Sequence, residues 1–157
     1  MSQVTERISL PTAQVLAEEI LGELKKLGVK AEITGSILRK ESEIGDIDII
    51  VEGPVLNLAS KIGVVLNGGN DRMILEYKGG LVNLFRCEPG EWGAMRLYLT
   101  GPKNYVIGYR MRAKRMNLTL NQHGLFDSEG KLVAAESEEE IYKALGKVWK
   151  SPELRGR

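Results

Sequence analysis

The sequence predicts a fold of mixed α-helices and β-strands, in either α+β or α/β layering. Three observations support this prediction: an amphipathic helix near the start, a β-branched segment in the first half, and a hairpin signal with two glycines. The chain has 157 residues, enough for one moderate domain or two small ones that share a core. A composition change near Gly90 predicts a soft boundary between domains 1–90 and 91–157.

The first predicted elements are a helix and two strands. Residues 11–27 form the helix, because apolar side chains recur every three or four positions between Pro11 and Gly28. Residues 30–34 are typical of a short strand. The β-branched run 46–51 predicts a second strand.

A second helix and a hairpin complete the first half. The helix is expected at 54–66, packed on the sheet. The segments 72–77 and 81–87 flank Gly79 and Gly80, a pattern that indicates two antiparallel strands joined by a tight turn. The first half therefore predicts a small mixed sheet with two helices.

The second half predicts two more helices, at 91–99 and 103–116, followed by short strands within 118–133. Ser137 and Glu140 have the spacing of a capping box and predict the start of a short final helix.

The composition excludes several classes of site. With Cys87 and His123 as the single residues of their types, neither an internal disulfide nor a Cys/His zinc cluster can form, so a metal site must use oxygen ligands. The chain lacks a long apolar run, and its first residues lack the apolar core and cleavage site of a leader. We therefore expect an intracellular protein, cytoplasmic or nucleoid-associated, without a membrane span. The net charge is +1, yet the stretch from Arg96 to Gln122 contains basic residues and no acidic one.

The most informative segment surrounds two aspartates. Asp46 and Asp48 alternate on one face of a predicted strand, with Cα atoms about 7 Å apart. Both carboxylates can reach hard cations, which lie about 3.5 to 4 Å apart in two-metal phosphoryl-transfer sites. The Gly35-Ser36 turn offers backbone N–H groups and a hydroxyl, and Arg39 offers a guanidinium, to a polyphosphate. The segment therefore predicts a nucleotidyl-transfer site.

Each part of this pattern is weak evidence alone, because D-x-D pairs are common on exposed strands. Here the apolar run 49–51 follows Asp48 directly, so the carboxylates lie on a strand that is otherwise interior. Two carboxylates beside a core are costly unless a cation compensates them. The combination favours a metal site.

The motifs Gly35-Ser36-x-x-Arg39 and Gly45-Asp46-x-Asp48 resemble the palm signature of DNA polymerase family X, the gap-filling repair polymerases related to polymerase beta. Further matches follow in the same order: Tyr98-Leu99-Thr100-Gly101-Pro102, Arg110, Leu120 to Asp127, Glu138 to Tyr142, and Pro152 to Arg155. The resemblance implies an α+β fold, with a nucleotidyltransferase palm followed by a small α/β terminal domain. This is the minimal two-domain form known among viral members, and a viral or phage origin fits it.

The resemblance also implies ligands and roles. Asp46 and Asp48 would hold two Mg²⁺ ions, for which Mn²⁺ can substitute. The implied nucleotide-binding residues are Arg7, Gly35, Ser36, Arg39, Gly45, Tyr98, Thr100 and Gly101. The implied DNA-binding residues are Arg110, Lys114, Arg115 and Gln122. The expected partners of a monomeric chain are gapped or primer–template DNA and a deoxynucleoside triphosphate (dNTP), and no membrane.

One position departs from the family pattern. The third catalytic carboxylate of the family lies in text resembling V-D-L-F-R, whereas residues 82–86 read V-N-L-F-R, with Asn83 at the catalytic position. Asparagine carries no charge and cannot act as a general base toward the primer 3′-hydroxyl. Either an Asp→Asn substitution was introduced to trap a reactant complex, or a natural chain has lost activity. Glu76 and Glu88 are weaker candidates for a replacement carboxylate.

The leading hypothesis is a template-directed repair polymerase that fills short gaps by two-metal nucleotidyl transfer, impaired at Asn83. Two alternatives remain: an untemplated nucleotidyltransferase, and a catalytically inactive module that binds DNA ends or nucleotides. The basic stretch argues against the first alternative, because an enzyme with a small acceptor needs no long cationic face.

Overall fold

The computed structural model describes residues 6–156 and has the α+β class that the sequence predicts. It divides into two compact units, of which the first ends at Cys87 and the second begins at Glu88. Arg7 lies within the described residues. Among these residues, no helix combines the length and the apolar character needed to cross a membrane.

A five-stranded mixed sheet organises the first unit. The elements of this unit, in chain order, are β1 (Ile8–Ser9), α1 (Leu10–Lys26), β2 (Ala31–Thr34), α2 (Gly35–Leu38), β3 (Glu43–Ile44), β4 (Asp46–Val51), α3 (Val55–Ile62), β5 (Val64–Gly68), β6 (Arg72–Tyr77) and β7 (Gly80–Arg86). The strand order in the large sheet is β2-β4-β7-β6-β5, and β1 pairs with β3 in a separate ribbon. Within the large sheet β4 and β7 run parallel, and the other neighbours run antiparallel.

One face of this sheet forms the core of the first unit. Ile47 and Ile49 of β4 and Val82 and Leu84 of β7 are fully buried in a cluster that includes apolar side chains of α1 and α3. Because strand side chains alternate between faces, Asp46, Asp48 and Asn83 must project from the opposite face.

The predicted helix at 54–66 is wrong in its second part. Helix α3 ends at Ile62, and Val64–Gly68 forms the edge strand β5. At Gly63 the chain passes so close to β6 that a Cβ atom would collide with the carbonyl oxygen of Glu76. A glycine is therefore required where the helix gives way to the strand.

The hairpin prediction and the final-helix prediction are confirmed. Strands β6 and β7 pair in antiparallel register from Tyr77 opposite Gly80. The side chain of Ser137 accepts a hydrogen bond from the backbone N–H of Glu140 at 3.1 Å, which caps the last α-helix.

The second unit packs four helical segments around a small antiparallel sheet. Its elements are α4 (Trp92–Thr100), α5 (Lys103–Arg115), β8 (Thr119–Asn121), β9 (Gly124–Phe126), β10 (Leu132–Ala134), α6 (Glu138–Ala144) and a 3₁₀ helix (Pro152–Leu154). The strand order is β10-β9-β8. The peptide bond between Gly101 and Pro102, which joins α4 to α5, is cis.

A buried ion pair holds the end of the chain in the second unit. The Arg155 guanidinium donates two hydrogen bonds of 2.9 Å to the Glu138 carboxylate, and Trp149 Nε1 donates a third to the same group at 3.0 Å. The side chains of Arg155 and Glu138 are only 0% and 1% exposed. Such a pair adds little net stability, but removing one partner leaves the other as an uncompensated buried charge.

We expect Arg155→Met to destabilise the second unit by about 3 to 5 kcal/mol, because Glu138 would keep a buried charge without its cation. Urea denaturation followed by tryptophan fluorescence measures this, since both tryptophans lie in the second unit. The double variant E138L/R155M should lose less stability than R155M alone. Arg115→Ala, at an exposed arginine, is the control and should change stability by less than about 0.5 kcal/mol. A single-variant loss no larger than the control would contradict the prediction.

Candidate active site

The pairing of β4 with β7 positions the two aspartates. Asp46 lies opposite Leu81, and Asp48 lies opposite Asn83. Both aspartates are half-buried, whereas Asn83 is only 2% exposed. The structure therefore brings the three predicted catalytic residues together on the sheet face that is turned away from the core.

A chain of hydrogen bonds crosses three strands at this point. Nδ2 of Asn83 donates to Oδ1 of Asp48 at 2.9 Å. On the other side, Nε and Nη2 of Arg72 donate to Oδ1 of Asn83 at 3.3 and 3.0 Å. Asn83 thus links the guanidinium on β6 to the carboxylate on β4.

The sequence motifs do not mark Arg72 as a site residue, although the hairpin register indicates its position. Counting back through the tight turn from Tyr77 opposite Gly80 places Arg72 opposite Phe85, on the same sheet face as Asn83. Its guanidinium lies 5.3 Å from the centre of the Phe85 ring, a favourable cation–π distance.

The surroundings of Asp48 destabilise the charged form of its carboxylate. Burial raises the pKa of the Asp48 carboxyl to about 6, and the negative charge of Asp46 acts in the same direction. The hydrogen bond from Asn83 and the charges of Arg72 and Arg39 lower the pKa and offset part of this effect. A cation bound between the aspartates would favour the charged form further.

The Gly-Ser turn lies directly against Asp48. Gly35 has a φ of +70°, and a Cβ atom at this position would lie 2.6 Å from Oδ2 of Asp48. A side chain here would displace the carboxylate. Glycine is therefore needed for two reasons, the positive φ and the space beside Asp48. Ser36 follows within the short helix α2, and Arg39 ends it. Nε of Arg39 lies 3.5 Å from Oε1 of Glu41, an ion pair with which an anionic ligand would compete.

Arg7 and Gly45 lie together at the start of β4. A Cβ atom built on Gly45 would lie 4.0 Å from Cζ of Arg7. Gly45 directly precedes Asp46, so the exposed guanidinium of Arg7 is close to the acidic end of the strand. The contact of Arg7 with the phosphates remains a prediction.

Four predicted ligand-binding residues of the second unit lie at the ends of its elements. Tyr98 is 41% exposed on α4, whereas Thr100 at the end of the same helix is fully buried. Gly101 follows with a φ of +63°. The fourth residue, Gln122, is half-buried in the turn between β8 and β9.

The turn that carries Gln122 is held by its neighbours. Nδ1 of His123 lies 2.8 Å from Oε1 of Glu91, and the backbone N–H of His123 donates to the side chain of Asn121 at 2.8 Å. Two hydrogen bonds therefore fix the residues on either side of Gln122.

The basic residues of α5 lie on two different sides of the helix. Arg110 and Lys114, one turn apart, line an open groove of about 380 Å³ together with Ile107 and Met111. Arg115 lines a separate groove. The predicted DNA-binding set is thus divided, with Arg110 and Lys114 on a shared surface.

Among residues 6–156, no third carboxylate lies beside the two aspartates. Glu76 pairs with Leu81, so it lies on the sheet face of Asn83 but two residues along from the Ile74–Asn83 pair. Glu88 lies beyond the end of β7. Within residues 6–156, no group of three or more His, Cys, Asp or Glu residues is arranged to hold a metal ion. The described residues therefore offer a cation two carboxylates.

Comparison with known proteins finds one matching family model and several similar viral polymerases. Residues 95–156 match the family model of the DNA polymerase beta thumb. The repair DNA polymerase X of the Badajoz strain of African swine fever virus is 28% identical over 156 residues, covering 89% of this chain and 90% of the viral one. These similarities support a polymerase of DNA polymerase family X. The protein of the same name from a South African tick isolate is 29% identical, with the same coverage.

The thumb match falls within the second unit. The candidate active site falls within the first unit, outside the matched region. The polymerase X relatives span both units, since they cover 89% of the chain.

We expect Asp48→Asn to stabilise the metal-free chain at neutral pH. The folded-state pKa of about 6 lies above the ordinary value of 3.8, so the folded chain retains the Asp48 proton between these values while the unfolded chain loses it. Stability should therefore fall as pH rises from about 4 to 6, by about 2 to 3 kcal/mol, and then level off. Asparagine cannot ionise, so the variant should lack this fall.

Urea denaturation of both proteins in excess chelator, at pH 4.5 and 7.5, measures the difference. Asp71→Asn, at an exposed aspartate outside the site, is the matched control. Equal stability of Asp48→Asn and the parent chain at pH 7.5 would contradict the destabilisation assigned to the charged form of Asp48.

Proposed function

We propose that this chain is a template-directed DNA polymerase that fills short gaps during repair, with gapped or primer–template DNA and a dNTP as substrates. The match to the DNA polymerase beta thumb and the similarity to named repair polymerases support the proposal. The observation that carries it is the pair Asp46 and Asp48 beside Asn83 on one sheet face. The first unit would then be the palm and the second the terminal domain that contacts nucleotide and template.

Divalent cations fit the acidic pair. Asp46 and Asp48 offer oxygen ligands, and burial together with mutual repulsion makes their charges costly without a cation. Mg²⁺, with Mn²⁺ as a substitute, would supply charge neutralisation and polarisation at the triphosphate when bound. The metal ligands in this proposal are Asp46 and Asp48.

The nucleotide phosphates would bind beside the acidic pair. Ser36 and the backbone N–H groups of the Gly35 turn can donate to phosphate oxygens, and Arg39 would exchange Glu41 for phosphate. Arg7 would contribute a second guanidinium near Gly45. In the second unit, the sugar contacts would come from Tyr98 and Gly101, whereas the predicted contact of Thr100 is not retained because this residue is fully buried.

Position 83 limits the chemistry. The primer 3′-hydroxyl must lose its proton to attack the α-phosphate in line, and an amide cannot accept that proton. We therefore propose that the chain binds its substrates and transfers the nucleotide slowly.

A second candidate function is a catalytically inactive module that binds DNA ends or nucleotides. The specific observation in its favour is that Asn83 uses both ends of its amide in hydrogen bonds to Asp48 and Arg72. The monomeric state and the intracellular location remain predictions under both functions.

We expect Asn83→Asp to raise the rate of primer extension on a one-nucleotide gap by on the order of 10²-fold at saturating Mg²⁺, because it restores a general base. Single-turnover extension with each of the four dNTPs measures the rate and the template dependence. Asn57→Asp, which adds the same charge on the exposed face of α3, is the control and should leave the rate unchanged.

The outcomes separate the functions. Addition of the complementary nucleotide alone supports the polymerase. Addition without regard to the template supports an untemplated nucleotidyltransferase. No transfer by either chain, with nucleotide binding intact, supports the inactive module.

We expect the double variant R110A/K114A to weaken binding of gapped DNA and to reduce its salt dependence. Each lost phosphate contact lowers the slope of log K against log salt by about 0.9, so a decrease of about one to two is expected. Fluorescence anisotropy at several salt concentrations measures the slope. K25A/K26A removes two basic residues from the last turn of α1 and should leave the slope unchanged. Equal slopes in the two variants would show that Arg110 and Lys114 of α5 do not contact the DNA phosphates.

A further inference from the structure

The amide of Asn83 can adopt one orientation in its surroundings. An arginine side chain offers only donors, and an ionised aspartate offers only acceptors. Asn83 lies between one of each, with Oδ1 toward Arg72 and Nδ2 toward Asp48. Turning the amide over would place NH₂ against the guanidinium and the oxygen against the carboxylate, so both hydrogen bonds would become repulsive contacts.

This orientation directs the NH₂ group of Asn83, which cannot bind a cation, toward the acidic pair. The one atom of Asn83 that could bind a cation is Oδ1, and it accepts two hydrogen bonds from Arg72 on β6. Asp46 and Asp48 project from β4, on the other side of β7. A cation approaching Asn83 from that side meets an NH₂ group, which cannot be a ligand.

Arg72 is well placed to maintain the arrangement. Two of its nitrogens share the same oxygen, and the ring of Phe85 lies against its guanidinium at 5.3 Å. The guanidinium also puts a fixed positive charge next to the position where a second cation would require negative charge.

We infer that the active site of this chain binds one divalent cation, with Asp46 and Asp48 as its ligands. Arg72 is the positioning residue that prevents Asn83 from binding a second cation, because it occupies Oδ1 of the amide. The inference rests on the proposed function, since the cation accompanies the nucleotide. It departs from the family expectation of two ions at one site.

The number of ions can be read from electron paramagnetic resonance with Mn²⁺ as the probe. Two Mn²⁺ ions about 3.5 to 4 Å apart are magnetically coupled, whereas a single ion is not. The parent chain, bound to a one-nucleotide gapped duplex and a non-hydrolysable dNTP analogue, should show one uncoupled ion. A coupled pair in the parent chain at the Mn²⁺ concentration that supports nucleotide binding would overturn the inference.

The role of Arg72 is tested in the chain that carries Asn83→Asp. The new carboxylate would be held by Arg72, so the coupled signal should appear only at high Mn²⁺. Adding Arg72→Gln should lower the required concentration by roughly 10- to 100-fold, because it removes a positive charge that repels the second ion and a donor that competes with it for the carboxylate. Adding Lys61→Gln, which removes an exposed charge from the same unit, should not lower it. Arg72→Lys keeps the positive charge but cannot donate from two nitrogens of a guanidinium, so it should give an intermediate value. This variant also keeps the role of Arg72 testable if the glutamine variant does not fold.

Failure of the inference differs from failure of the proposed function. If the parent chain binds no Mn²⁺ with the nucleotide, the proposed function fails. If it binds Mn²⁺ and nucleotide, but Arg72→Gln leaves the coupled signal of the Asn83→Asp chain unchanged, only the role of Arg72 fails.

Discussion

The register of β4 against β7 is the constraint on which the candidate site depends. It pairs Asp48 with Asn83, and the adjoining register of β6 brings Arg72 within reach of the same amide. The same pairing turns Ile49 and Leu84 into the core. A slip of one residue would bury the carboxylates and expose the isoleucines. Hydrophobic packing on one face of the sheet therefore fixes the chemistry on the other.

Local sequence patterns were sufficient for the elements that local rules control. The β-branched run of β4, the hairpin of β6 and β7, and the cap at Ser137 each depend on a few adjacent residues, and the structure has them at the expected places. The two aspartates could be placed on one face for the same reason, because strand alternation is a local property.

The parts that could not be predicted depend on contacts between distant segments. The apolar run of β5 fits a helix or a strand equally well, and pairing with β6 decides it. The Glu138–Arg155 pair joins residues far apart in sequence, and no local pattern marks either partner as buried. The division of basic residues on α5 follows from how the helix packs on its own unit. The link from Arg72 to Asn83 required the hairpin register and, in addition, a side chain that reaches along the strand.

Position 83 is where two demands on the site meet. A site that binds cations needs an excess of negative charge, whereas the metal-free fold needs that charge neutralised. Burial and Asp46 already raise the pKa of Asp48, so a third carboxylate would add to the cost, with Arg72 as its compensation. The amide of Asn83 satisfies Arg72 and donates to Asp48 in the same geometry, which lowers the cost of the metal-free state. The same two hydrogen bonds occupy the groups that catalysis would need. Stability of the metal-free site and speed of the chemistry therefore oppose each other through this one side chain.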